Sequence, residues 1–159
     1  MPILDEEIQD LIDGRLGLER VHEIQAEPKD EDRRARVLAA WQARLGWKER
    51  IVLTLQESLF IVQAGPGAPR IVRCACGHDF CDYRTNWKEH ALVYERDPQD
   101  GRIFDKACAP TAEWMVLREF YCPGCGTQLD TEGVPRGYPF VFNCLPRFAD
   151  EPAHDTGRP

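Results

Sequence analysis

The chain opens on a helical spacing of apolar positions. Ile3, Ile8, Leu11, Ile12 and Leu16 recur among acids, which predicts one or two short amphipathic helices over residues 3–20, broken near Gly14 and Gly17. The segment has too few apolar residues to stand alone, so it must dock on the core or on a partner. Residues 29–45, KDEDRRARVLAAWQARL, make the clearest helix. Asp30, Glu31 and Asp32 lie at its positive N-terminal end, Val37, Leu38, Trp41 and Leu45 share a face, and Gly46 is placed to end it.

After residue 50 the period changes from helical to strand-like. RIVLTLQ, LFIVQA and RIVRC are short β-branched runs, and GPGAP between the last two is a natural hairpin turn. HALVYERDPQDGRIFD repeats the pattern with DPQDG as its turn, and EWMVLREFYC and PFVFNC supply two more strands. Helices first and hairpin-connected strands afterwards predict an α+β fold with an antiparallel sheet, rather than a parallel α/β fold. The expected organisation is a helical segment at 1–50, a β domain at 51–146 and a flexible tail at 147–159, where ADEPAHDTGRP has almost nothing to bury.

At 159 residues the chain fits one domain. Twenty-seven acids against twenty bases give a formal charge of −7, spread over both halves, and such a surface repels phosphate backbones. Nucleic acid is therefore not an expected partner. The acidic start MPILDEEIQD has no apolar signal region, and no apolar run approaches the roughly 18 residues of a membrane span. The expected location is cytoplasmic, away from the membrane. Seven cysteines, an odd number clustered in pairs, suit a reducing compartment in which thiolates bind metal.

Four of them sit in CACG and CPGCG, with 45 residues between Cys76 and Cys122. A tetrahedral site with Zn–S bonds of about 2.3 Å needs sulfurs roughly 3.7 Å apart facing one centre. In an extended segment residues i and i+2 share a face, so Cys74 and Cys76 can present both sulfurs with Ala75 turned away and Gly77 available for a bend. Cys122 and Cys125 need a turn, which Pro123 and Gly124 provide, and Gly126 is expected to let the backbone pass close behind the sulfur. Cys74, Cys76, Cys122 and Cys125 form the expected ligand set for a zinc-ribbon-like site closing the sheet. Two alternatives stay open: Cys81 in place of Cys74, or His78 entering the shell. A fully thiolate-ligated zinc has no open position for water or substrate, so the metal reads as structural. Cys81, Cys108 and Cys144 lack partners at ligand spacing and read as small buried hydrophobes.

Catalytic equipment is missing from the pattern. Ser58 is the only serine and lies in no G-x-S-x-G, no phosphate loop is present, and GPGAPR at Gly65 reads as a turn. His78 with Asp79, and His90 beyond, could be drawn as an acid/base pair, but adjacent residues seldom aim at one point. Trp87, Trp114, Tyr121, Tyr138 and Phe140 read as core or interface aromatics. Two rival functions share the sulfurs: a rubredoxin-like electron carrier holding iron, and a zinc ribbon binding nucleic acid or a transcription partner. Against the latter, the bases near the knuckles, Arg73, Arg84, Lys88 and Arg118, are interleaved with acids.

CACGHDFCDYRTNWKEHALVYERD (74–97), APTAEWMVLREFYCPGCGTQLDTE (109–132) and GYPFVFN (137–143), with looser likeness in DLIDGRL and LFIVQ, carry a resemblance over most of the chain. It resembles the small (gamma) subunit of acetone carboxylase and its counterpart in acetophenone carboxylase. The resemblance implies a non-catalytic zinc subunit of a cytoplasmic hetero-oligomer. In that family the large, hydantoinase-related subunits bind ATP, activate the ketone enolate and bicarbonate by phosphorylation, and join them into a 3-oxo acid. The family's paired cysteines fall on Cys74, Cys76, Cys122 and Cys125. A further family cysteine falls on Cys81, while Cys108 and the tail carry no family role.

Overall fold

The computed structural model describes residues 3–102, 105, 107–111 and 113–150. Three helices come first: α1 (Asp5–Ile12), α2 (Leu18–Ala26) and α3 (Arg33–Leu45). Their small core of Ile3, Ile8, Ile24 and Ala40 is supplemented by Ile12, Leu16 and Val37. Docking of the first segment on α3 is also polar, since Arg36 reaches Asp5 at 2.7 Å and the Ile3 carbonyl at 2.6 Å. Gly46 ends α3 at φ 63°, a left-handed conformation that favours glycine.

Four antiparallel strands follow in the order β1 (Arg50–Gln56), β2 (Leu59–Gln63), β3 (Arg70–Cys74) and β4 (Asp79–Asp82). Alternation along β2 explains why four successive residues are buried. Phe60 and Val62 face α3 through Leu38, Trp41 and Leu45, and Trp41 meets Phe60 edge-on at 5.0 Å. Leu59 and Ile61 face the other way, with Val72, Cys74 and Phe80, into the main core.

A second sheet, β5 (Leu92–Arg96), β6 (Val116–Tyr121) and β7 (Gln128–Val134), covers that core from the far side. Between the sheets, a short 3₁₀ turn at Trp87–His90 inserts Trp87, and Phe80, Trp87, Phe120 and Phe140 stand edge to face in a row with centroids 5.8, 6.1 and 5.2 Å apart.

The α+β order of helices followed by antiparallel strands matches the expectation, with three local differences. The strands form two sheets, not one. PFVFNC is not a strand: the Asn86 amide donates to the Phe140 carbonyl at 3.2 Å, and the Val141 N–H donates to Glu132 at 3.2 Å, so side chains satisfy main-chain groups that a ladder would have used. The DPQDG turn is present, with Asp100 N–H donating to the Asp97 carbonyl, but β5 pairs with β6. The returning arm of that hairpin falls partly on residues 103 and 104, outside the described residues. Within 147–150, Phe148 packs on Tyr83 and Asp150 meets Arg70 at 2.6 Å; residues 151–159 lie outside the described residues. No helix among the described residues is long and apolar enough to cross a membrane.

Candidate metal centre

Cys74 ends β3, opposite Leu59 of β2, and is buried. The chain then turns tightly. Gly77, at φ 95°, donates to the Cys74 carbonyl at 2.8 Å, and the Cys74 N–H donates to the His78 carbonyl at 2.9 Å. Ala75 packs on the α3 side and donates to the Ser58 carbonyl at 2.9 Å. Residues 75 and 76 lie in this turn, so the turn, and not the i, i+2 alternation expected of an extended segment, brings the Cys74 and Cys76 sulfurs to one side. The second knuckle follows β6. Cys122 N–H donates to the Thr127 carbonyl at 2.9 Å, Gly126 N–H to the Cys122 carbonyl at 2.8 Å, and Gly124 N–H to the Cys122 sulfur at 3.3 Å.

These two turns bring four sulfurs to one point. Cys74 and Cys125 lie 3.8 Å apart, Cys76 and Cys122 lie 3.7 Å apart, and all four sulfurs fall within 4.8 Å of one another. Four thiolates at about 2.3 Å from a central ion would stand roughly 3.7 Å apart, so the cluster is able to hold a metal. Cys74 and Cys122 are rooted in the core, whereas Cys76 and Cys125 are exposed. Burial pushes the Cys74 and Cys122 thiols up, while the Thr127 hydroxyl 3.1 Å from the Cys125 sulfur, with help from the Thr127 backbone, holds Cys125 down at about 6. A cation at the centre would favour the thiolate at all four positions.

Two glycines serve different ends from those expected. A Cβ on Gly126 would meet nothing within 4 Å, so its positive φ of 72° is what requires glycine there. Close approach occurs instead at Gly124, where a Cβ would stand 2.8 Å from His78 Cβ and 3.4 Å from the Cys76 sulfur.

Neither alternative ligand, Cys81 or His78, falls within the four-sulfur cluster. Cys81 sits on β4 opposite Val72, its sulfur 3.6 Å from the Thr85 carbonyl, and burial, helped by Asp82 and Glu89, pushes its thiol up to about 11. His78 packs edge-on against Phe80 at 5.1 Å and forms the wall that Gly124 slides past. Cys81 is only half-buried, and Cys108 and Cys144 are exposed, contrary to their reading as buried hydrophobes. Cys108 closes a surface turn on the Asp105 carbonyl, and Cys144 lies in the unladdered segment after β7. Asp79 is engaged by Arg73 at 2.5 Å and His90 is exposed, so the drawn acid/base pair does not converge. Among the aromatics, Trp87 is core, while Trp114 and Tyr138 are exposed at 79% and 51%. Thr127 beside Cys125 and the Ser58 carbonyl beneath Ala75 carried no signal in the sequence, because neither has a spacing that marks it.

Residues 45–149, which contain all four cysteines and both sheets, match a family model described as the acetone carboxylase gamma subunit. The acetone carboxylase gamma subunit of Xanthobacter autotrophicus is 41% identical over 141 residues, 87% of this chain and 84% of that one. The acetophenone carboxylase beta subunit of Aromatoleum aromaticum is 37% identical over 72 residues, 43% of this chain and 56% of that one.

Proposed function

The chain belongs to the acetone carboxylase gamma subunit family, and from that membership we propose that it is a small, non-catalytic subunit of an ATP-dependent ketone carboxylase, with Cys74, Cys76, Cys122 and Cys125 holding a structural zinc ion. Its partners are large, hydantoinase-related subunits in a cytoplasmic hetero-oligomer. Those subunits carry ATP and the ketone, acetone or acetophenone, and form the carbon–carbon bond of a 3-oxo acid. Substrate choice lies with them.

The observation that supports this reading is the convergence of four sulfurs from two separate hairpins at tetrahedral spacing. A zinc ion bound there would supply a cross-link with every coordination position filled by sulfur, and so no Lewis-acid surface for a substrate. The chain's own residues do the rest. Cys74 and Cys122 anchor the site in the core, Gly77 and Gly126 fold the two turns, and Gly124 lets them close.

The test is co-expression of the tagged chain with the large subunits of its source, followed by subunit stoichiometry and metal analysis. We expect the large subunits to co-purify with one zinc per chain, and Cys122→Ser to lose both metal and complex. A metal-free chain that stays monomeric and thermally stable would refute the reading. A red preparation with a reversible redox wave would assign the sulfurs to iron.

A further inference from the structure

On a chain of formal charge −7, one concave surface is cationic. Arg34 from α3, Lys48 from the link after it, Arg50 at the start of β1 and Arg70 at the start of β3 line a cleft of about 580 Å³ beside the Gly65–Gly67 turn. A second cleft of about 520 Å³ shares Arg34, Arg50 and Val52 with it, and Ala35 and Leu38 contribute apolar lining. Arg70 is already matched: Asp150 meets it at 2.6 and 2.7 Å, and the Phe148 ring lies 4.0 Å from its guanidinium carbon. The others are not. Among the described residues Lys48 and Arg50 meet no carboxylate, Arg34 meets only the Val52 carbonyl at 3.4 Å, and Glu31 is the remaining acid of the joined groove.

Three unpaired cations held around one groove repel one another, and an anionic occupant removes that cost. We propose that this groove seats an acidic, extended segment of a large partner subunit, its carboxylates on Arg34, Lys48 and Arg50 and its apolar side chains on Ala35 and Leu38. The inference rests on the reading of the chain as a carboxylase subunit. Asp150 on Arg70 is the same contact made within the molecule, a carboxylate delivered by unladdered chain to one end of the groove. The apolar lining suits a peptide and has no use for a free phosphate. Pairing with the edge of β1 is not the mode of recognition at its start. Gln42 accepts the Ile51 N–H at 2.8 Å and Arg34 takes the Val52 carbonyl, so α3 already occupies those main-chain groups.

The experiment uses the full chain and its separately purified large subunits. Arg34→Glu, Lys48→Glu and Arg50→Glu are combined, with zinc content and circular dichroism confirming that the variant folds. Exposed ion pairs each change affinity by a few-fold, so reversing three should raise the assembly Kd by about ten- to a hundredfold and abolish its salt dependence. In parallel, a photo-cross-linking residue at position 48 of the otherwise native chain should capture an Asp/Glu-rich peptide of a large subunit. Unchanged assembly by the triple variant, or cross-links to a segment without acids, overturns the groove while leaving the subunit reading intact. Failure of the native chain to assemble overturns both. Displacement of the cross-linked peptide by sub-millimolar inorganic phosphate would instead make the groove a small-anion site, and the proposal would fall.

Discussion

Single atoms decide whether the two knuckles can meet. At Gly124 the nearest obstacles are the Cβ and Cγ of His78, 2.8 and 3.2 Å from where a Cβ would be built, with the Cys76 sulfur at 3.4 Å. Gly124→Ala therefore pushes one hairpin tip off the other. We expect it to weaken metal affinity at least tenfold in chelator competition and to cost about 1–3 kcal/mol of stability, the range for overpacking a fitted contact. Adding His78→Gly removes the opposing Cβ and should restore most of the affinity. An alanine variant with native affinity would show that the knuckles do not approach through this contact. Although Cys74 and Cys76 meet through a tight turn closed by Gly77 and not through strand alternation, the cysteine pairs themselves were legible from their spacing and the Pro-Gly turn. Which glycine served closeness and which served a positive φ was not, because that depends on what the other hairpin brings to the same place.

At the scale of elements, legibility followed the side chains that strands bury. β1, β2, β3 and β6 present β-branched and aromatic runs and were readable. β7 was not, because one of its inward positions is the buried Glu132, which makes QLDTEGV look polar. That carboxylate is tolerable because Lys88 of the 3₁₀ turn reaches it at 2.5 Å and Asp130 at 2.6 Å, with its ammonium 5.1 Å from the Phe120 ring centre. Lys88 is fully buried, so the three groups dock the turn on β7 as one charged unit. Lys88→Met leaves two carboxylates without their cation. The expected loss is about 3–5 kcal/mol by denaturant unfolding, as when one partner of a buried ion pair is removed. Adding Asp130→Asn and Glu132→Gln should recover much of it, since the charges left behind, more than the missing attraction, cause the damage. If the single variant unfolds at the native midpoint, the cluster does not hold the turn.

For the whole molecule, the order of helices then hairpins was legible, but the division into two sheets was not, since β5 finds β6 across an intervening segment that no local pattern bridges. Among the described residues the sheets share no strand pairing, and they meet through the aromatic row and the four sulfurs, two from each side. Hydrophobic contact alone can slide, whereas a tetrahedral ion fixes both hairpin tips in distance and direction. By the chain-entropy estimate, closing the loop from Cys76 to Cys122 is worth about 4 kcal/mol for a covalent link, and a four-thiolate ion acts in the same sense. That is a large part of the roughly 5–15 kcal/mol that keeps a domain folded. Chelating the proposed zinc should therefore lower the unfolding midpoint and speed amide exchange first at the ends of β3, β4, β6 and β7 beside the cysteines. The α3 face of β2, held by Trp41 and Trp47 on Phe60 at 5.0 and 5.7 Å, should keep its protection longest. Exchange that quickens uniformly over the chain, or not at all, would mean that the ion does not act as the fastening between the sheets.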